Sequence, residues 1–206
     1  MASLAELRKQ LQKQEAQRGP RAHTGERAPS VKFPHWNAPT GSTTSIRFLP
    51  DGNTENSFFW QERHQIRLQF DTVDDQPERK FVTLPCLTTW GETCELKKIA
   101  QERFKEDVET ARKLGIWPKT SYLFQGLVVE APAVDDNAPE NPVRVFIFTK
   151  QLFGVVKDAV MDPEMEDNPV DYEAGRDFRI KKTSKGEYAD YSTSSFAMKT
   201  RTLSET

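Results

Sequence analysis

Short segments in which apolar and polar residues alternate recur along most of the chain. Ile66, Leu68 and Phe70, for example, alternate with Arg67 and Gln69. A period of two indicates a β-strand with one buried face. Further strands are predicted at residues 43–49, 58–61, 81–84, 122–129, 143–148, 178–182 and 195–200. Many short strands restrict the fold to a small β-barrel or an α+β domain.

Two helices are predicted between these strands. Residues 95–114 carry apolar side chains at helical spacing and are followed by Gly115, a typical residue just after a helix. Residues 151–161 form the second apolar-faced segment. We therefore expect a fold that is mainly β with inserted helices, of the α+β class.

The composition predicts one modest core. The chain has 206 residues, of which 10% are aromatic, and its mean hydropathy is −0.71. Such a polar chain is expected to have long polar connections or arms around a single core. No apolar run approaches the ~18 residues of a membrane span, and no apolar signal core is present at the N-terminus, so a cytosolic protein with no membrane partner is expected.

The first 30 residues read as an arm and a linker. Ser3 is a plausible N-cap, and Leu4, Leu7 and Leu11 share one face of a predicted helix. Three leucines cannot stabilise a helix by burial on their own, so this arm is expected to dock on something. Residues 19–29 predict a flexible linker, and the folded core is expected over residues 31–206.

Charge is segregated along the sequence. The 29 Lys and Arg residues nearly balance 31 Asp and Glu. Residues 1–32, however, hold seven cations against three acids, residues 130–173 three against eleven, and residues 176–206 seven against four. Such segregation creates local fields that the net charge conceals.

A basic and aromatic strip lies at residues 178–191. It combines four cations, among them Lys181, Lys182 and Lys185, with Tyr188 and Tyr191. Cations suit phosphates and flat rings suit unstacked bases, so the strip is typical of a surface that binds single-stranded nucleic acid. On composition alone it can equally be a solvated hairpin edge.

Two further segments show the same combination. Lys119 and Tyr122 begin one predicted strand, and Arg144, Phe146 and Lys150 mix cations with an aromatic ring along another. Strand phenylalanines usually face the core, so a structural role for Phe146 stays open beside a DNA-binding one.

The sequence offers little catalytic or metal chemistry. It lacks the common nucleophile, phosphate-loop and dinucleotide motifs. His64, Cys86 and Cys94 are three possible zinc ligands, but a structural site needs four, so zinc and buried free thiols both stay open. The acids at residues 164–167 favour a solvated loop over a metal-dependent nuclease site.

The order of several segments is recognisable. Residues 45–50 (Ser-Ile-Arg-Phe-Leu-Pro), 119–122 (Lys-Thr-Ser-Tyr), 138–141 (Ala-Pro-Glu-Asn), 145–148 (Val-Phe-Ile-Phe), 168–171 (Asn-Pro-Val-Asp) and 178–196 follow one another. Together they resemble the gene-32-type single-stranded DNA-binding proteins of T-even-like and related phages, over roughly residues 40–200. The resemblance implies an OB-fold-like five-stranded barrel, with residues 60–117 as a small inserted subdomain.

The resemblance also implies roles for individual residues. It adds Arg47 to the cations and places the rings at Tyr122, Phe146, Tyr188 and Tyr191 in or beside a DNA cleft. The basic arm, here with Arg8 and Lys9, is expected to bind a neighbouring protomer and make binding cooperative. The family's zinc site ends in Cys-x-x-Cys; Cys94 matches the first of these cysteines and Lys97 replaces the second. A charged lysine cannot be a ligand, so no cofactor is expected unless zinc binds through an incomplete set.

We accordingly expect a non-enzymatic protein of the host cytoplasm that coats single-stranded DNA cooperatively, without strong sequence preference, during phage replication, recombination and repair. Its expected partners are single-stranded DNA, further copies of itself and phage replication proteins. There are two alternatives. One is a replisome adaptor that does not bind DNA, and the other is a metal-dependent nuclease.

Overall fold

The structure is a computed structural model that describes residues 30–71, 79–109, 116–132 and 138–205. The predicted arm with Arg8 and Lys9, except for residue 30, lies outside the described residues. So do residues 110–114, the last part of the helix predicted at residues 95–114. Within the described ranges, no helix is long and apolar enough to cross a bilayer.

The described residues form nine β-strands and two α-helices, and residues 108 and 109 are also helical. The strands are β1 (Thr43–Phe48), β2 (Trp60–Asp71), β3 (Arg79–Pro85), β4 (Ile116–Glu130), β5 (Arg144–Phe148), β6 (Arg176–Lys181), β7 (Thr183–Lys185), β8 (Tyr188–Asp190) and β9 (Ser195–Thr200). The helices are α1 (Glu95–Glu106) and α2 (Lys150–Val160). Short 3₁₀ turns lie at His35–Asn37, Leu87–Trp90 and Leu203–Glu205. The predicted class, mainly β with inserted helices, is confirmed.

Seven strands form one antiparallel sheet in the order β3-β2-β4-β1-β6-β9, with β5 paired to β4. Strand β4 organises the sheet: its first part pairs with β2, its last part with β1, and the stretch from Tyr122 to Gly126 pairs with β5. The sheet is OB-like but not closed, since β3, β5 and β9 each pair with a single neighbour among the described strands. Strands β7 and β8 form a separate hairpin.

Several predicted boundaries move. The segments predicted as separate strands at residues 58–61 and 66–70 belong to a single strand, β2, and β4 begins six residues before the predicted start at residue 122. Helix α1 ends at Glu106, and the helix predicted over residues 95–114 is interrupted at Asp107, since residues 108 and 109 are helical again. There the Asp107 carboxylate accepts a hydrogen bond from the Glu109 backbone N–H at 2.9 Å. An extended Asp whose carboxylate accepts from the N–H two residues on is typical of a helix N-cap, so Asp107 separates α1 from the helical residues that follow.

The core is a cluster of phenylalanines between the sheet and α2. Phe48, Phe124, Phe148 and Phe178 are each at most 2% exposed. The Phe48 ring centroid lies 4.7 Å from that of Phe124 and 5.5 Å from that of Phe178. Such pairs contribute about 0.5–1.5 kcal/mol each beyond the burial of their area. A second, smaller cluster of Ile66, Cys86 and Cys94 packs beneath the β2–β3 ribbon.

Gly126 lies where β4 pairs with β1 and β5 at once. It is opposite Phe48 on one side and Arg144 on the other. A Cβ there would collide with the Arg47 carbonyl oxygen, and it would lie 3.2 Å from the Phe48 Cα. Backbone cannot yield as a flexible side chain does, so only glycine fits this crossing.

We expect Gly126→Ala to lower the free energy of unfolding by about 1–3 kcal/mol, because the added methyl group overpacks a backbone crossing. Gly154→Ala is the matched control: Gly154 lies within α2 with no atom near its Cβ position, so its substitution should stabilise the protein by up to about 1 kcal/mol. Urea unfolding followed by circular dichroism measures both. Equal effects of the two substitutions would contradict the crowding at Gly126.

Candidate nucleic-acid interface

The strip at residues 178–191 folds largely as strand β6 and the β7–β8 hairpin. Gly186 has a φ of 65° at the first position of a two-residue turn, which is typical of a type II′ hairpin turn. The register places Lys185 directly opposite Tyr188. Tyr188 is 79% exposed. The hairpin therefore presents a cation beside an exposed aromatic ring.

The hairpin is anchored to the start of α2. The Gln151 side-chain amide donates a hydrogen bond to the Asp190 carboxylate, and the Ser192 hydroxyl donates another at 2.8 Å. These bonds, those from Ser192 first, lower the pKa of Asp190 and keep it an acceptor. Lys150, the first residue of α2, is exposed next to Gln151. This contact brings Lys150 towards the hairpin that carries Tyr188.

A second group of cations lies on one face of the β2–β4 pair. Arg67 is opposite Trp117, Gln65 opposite Lys119, and Arg63 opposite Ser121. Side chains of paired residues point to the same face, so these cations share it. The Arg67 guanidinium lies 3.9 Å from the centroid of the Phe81 ring on β3.

Sequence reasoning missed Arg63, Arg67 and Trp117 as binding candidates. The signal was present: Arg63 and Arg67 occupy the strand positions that alternate with the buried Ile66. That alternation identified the strand without assigning a function to its polar face. With ordinary strand spacing, the Cα atoms of Lys119 and Lys150 lie within about 22 Å of each other.

Arg47, a predicted phosphate contact, is buried. Its side chain is fully inaccessible and lies 3.5 Å from the Asp177 carboxylate, which also pairs with Arg201 at 2.9 Å. Its guanidinium donates to the Asp171 and Arg201 carbonyls. Burial lowers the pKa of Arg47, and the charge of Asp177 opposes that shift. All of these contacts are made to groups within the protein, so we assign Arg47 a structural role.

Two other predicted cations also bond to backbone carbonyls. Arg144 is 5% exposed and donates to the Ser30 carbonyl at 2.9 Å. The Lys182 ammonium donates to the carbonyls of Trp36 and Ala38 at 2.6 and 2.8 Å. These contacts attach the first described segment of the chain to β5 and to the end of β6.

The predicted rings differ in exposure. Phe146 is completely buried and Tyr191 is 9% exposed, both within the main core. Tyr122 is half-buried, with its ring stacked on Phe153 at a centroid distance of 3.5 Å. Tyr188 alone among these rings is strongly exposed. Because a stacking base needs a free ring face, Tyr188 is the best placed of the predicted aromatic residues.

The cysteine cluster does not fit zinc. The His64 ring nitrogens contact other groups, Nδ1 lying 3.3 Å from the Thr120 hydroxyl and Nε2 3.6 Å from the Glu62 carboxylate. The described residues contain no group of three or more His, Cys, Asp or Glu side chains arranged for a metal. A tetrahedral site needs four such ligands, so absence of bound zinc remains our expectation for this cluster.

Lys97 takes part in a polar network beside the two cysteines. Its ammonium donates to the Thr88 hydroxyl at 3.3 Å, and that hydroxyl lies 3.2 Å from the Cys86 sulfur. Burial raises the pKa of the Cys86 thiol, but hydrogen bonds from Thr88 and Cys94 and the charge of Lys97 bring it below its ordinary value. Lys97 thus contributes to the lowered pKa of this thiol, after the hydrogen bonds of Thr88 and Cys94.

Arg47→Met should lower the free energy of unfolding by about 3 kcal/mol, the low end for a broken buried pair, because Arg201 still pairs with Asp177. It should leave the salt dependence of DNA binding unchanged. Lys119→Ala should do the reverse, reducing the slope of log K against log[salt] by about 0.7 with little change in stability. Urea unfolding and oligo(dT) titrations in several NaCl concentrations measure both. A folded Arg47→Met variant with a reduced slope would contradict the structural role.

We expect the wild-type protein to retain no stoichiometric zinc after dialysis, and Lys97→Cys to retain about one zinc per chain, because it adds a third thiolate three residues after Cys94. Lys98→Cys is the control, since Lys98 is exposed and pairs with Glu95. Atomic absorption and the thiolate-to-cobalt absorption band report occupancy. Stoichiometric zinc in the wild-type protein would contradict this prediction.

Comparison with known proteins gives one family. Residues 40–206 match the family model described as gp32 DNA binding protein like. A search of curated proteins found no significant match to the chain. The matched range contains β1 to β9, the hairpin, the β2–β4 face and the cysteine cluster.

Proposed function

The chain belongs to the gp32-like DNA-binding protein family, and we propose that it coats single-stranded DNA cooperatively and without strong sequence preference. The family gives it a DNA-binding role. Phage replication, recombination and repair in the host cytoplasm are the processes that we propose it serves. In this proposal the protein works by binding alone, without catalysis, and phage replication proteins are its further partners.

The observation that carries the proposal is the exposed Tyr188 opposite Lys185 on an anchored hairpin. A ring held next to a cation can stack on a base while the cation neutralises the adjacent phosphate. Every base has a flat face, so stacking of this kind tolerates any sequence. Anchoring through Gln151 and Asp190 reduces the ordering that binding would otherwise require.

Phosphate neutralisation is assigned to exposed and half-exposed cations. They are Arg63, Arg67, Lys119, Lys150, Lys181 and Lys185. Arg47 and Arg144 are left out because they are buried, and Lys182 because its ammonium donates to two backbone carbonyls. Each phosphate neutralised on a single strand should add about 0.7 to the magnitude of the salt slope.

Cooperativity is assigned to the N-terminal arm. Residues 1–18 carry Arg8 and Lys9 among four cations, against two acids. On long DNA, bound copies lie side by side, so an arm can reach the next copy at a high effective concentration. The arm therefore increases clustering on long strands more than it increases the affinity of one copy for a short oligonucleotide.

Tyr188→Ala should weaken binding to a short oligo(dT) by about 1–3 kcal/mol, the contribution of one stacked base, and leave the salt slope unchanged. Lys185→Ala should instead reduce the slope by about 0.7. Quenching of intrinsic tryptophan fluorescence, repeated at several NaCl concentrations, measures affinity and slope together.

Matched controls are Tyr172→Ala and Lys98→Ala. Tyr172 is 57% exposed outside the hairpin, and Lys98 is an exposed cation on α1; neither change should alter binding. Absence of wild-type binding at low salt would overturn the proposal and favour a protein-interaction adaptor. Strand cleavage on addition of magnesium would favour the nuclease alternative.

A further inference from the structure

An open cavity of about 730 Å³ lies between the start of β2, β4 and α2. Its walls are aromatic: Phe58 and Trp60 stack at 4.7 Å, and Tyr122 and Phe153 stack at 3.5 Å with their planes 8° apart. Phe58 is 57% exposed, and Met161, at the end of α2, is 73% exposed. Large apolar side chains exposed around one cavity are typical of a surface that binds a partner.

The rim of this cavity is acidic. Glu62, Glu166 and Asp167 line it together with one cation, Lys157. Asp167 also pairs with Arg176 at 3.2 Å. Negative charge at the rim repels phosphate, so the cavity is a poor site for DNA. Its apolar walls and acidic rim instead match a partner with an apolar face bordered by cations.

The chain itself contains such a segment. Residues 1–18 place Leu4, Leu7 and Leu11 on one face of the predicted helix, with Arg8 and Lys9 beside them. Binding of an amphipathic helix in an apolar groove is a common mode of recognition. In this mode, apolar side chains three and four residues apart on the helix enter the groove. On a helix, Leu4 and Leu11 are separated by about 10 Å, which suits a cavity of this size.

We propose that this cavity receives the N-terminal arm, residues 1–18, of a second copy of the chain bound to the adjacent stretch of DNA. The leucines enter between the two aromatic stacks, and Arg8 and Lys9 meet Glu62 and Glu166. This inference rests on the proposed cooperative binding, for which it names the acceptor surface. The linker at residues 19–29 spans at most about 36–40 Å, so the proposal requires the cavity of the neighbouring copy to lie within that distance.

The decisive experiment titrates a synthetic peptide of residues 1–18 into the full-length R8E/K9E variant, whose own arm competes poorly, without DNA. Isothermal titration calorimetry should show binding of one peptide per chain. Adding Glu62→Lys and Glu166→Lys to that variant should weaken peptide binding at least about tenfold, because two attractive charges become repulsive. Adding Glu102→Lys and Glu140→Lys, which make the same charge change at exposed positions, should not.

A charge exchange sharpens the test. A peptide that carries Arg8→Glu and Lys9→Glu should bind the protein with lysines at positions 62 and 166 better than the wild-type peptide does. On long poly(dT), E62K/E166K introduced into the otherwise wild-type chain should lose clustering while its affinity for a short oligo(dT) matches that of E102K/E140K.

Three results would overturn the assignment. Equal peptide affinity for the two charge variants would place the acceptor elsewhere. Displacement of the peptide by short oligo(dT) would indicate that DNA, and not the arm, binds in the cavity. Loss of peptide binding with unchanged clustering would mean that the arm occupies the cavity of its own chain. Peptide binding by a wild-type protein that does not bind oligo(dT) would refute the proposed function. The same result would still support the cavity as the docking site of the arm.

Discussion

The pairing of β4 with three other strands is the constraint on which the rest of the structure depends. Its fifteen residues border β2, β1 and β5, and the close backbone approach at Gly126 allows β1 and β5 to flank it together. The phenylalanine core forms where these strands meet, and Tyr122, on the same strand, begins the aromatic cavity. One strand thus joins the core, the basic face at Lys119 and the proposed docking site.

Burial of Arg47 divides the cations of this protein into two groups. Arg47 and Arg201 share Asp177, and together they join β1, β6 and the end of the chain. Buried ion pairs of this kind contribute little net stability but cost much when one partner is lost. Cations used in this way are not free for phosphates. The cations that we propose contact DNA are therefore exposed lysines together with Arg63 and Arg67, which alternate with buried Ile66 along β2.

Sequence patterns predicted most of the fold and part of the site. Alternation identified β1, β2 and β5, and helical spacing identified α1 and α2, because burial of one face imposes those periods directly. The hairpin residues Lys185 and Tyr188 were also identified, because a polar turn between a cation and an aromatic residue is visible within a few residues of the sequence. Arg47 and Phe146 show the limit of such patterns: both stand in strands of mixed cations and rings, yet both are fully buried.

The sequence by itself determined the mainly β class and the segregated charge, and it contains the leucine spacing of residues 4–11 and a lysine, Lys97, three residues after Cys94. These properties depend on residues close together in the sequence, so the sequence is sufficient to predict them. Only the tertiary structure decided that Arg47 pairs with Asp177, that Arg63 and Arg67 share a face with Lys119, and that Phe58, Trp60, Tyr122 and Phe153 enclose one cavity with an acidic rim. Each of these contacts joins residues far apart in the chain, and strand register and packing, which no local pattern encodes, bring them together.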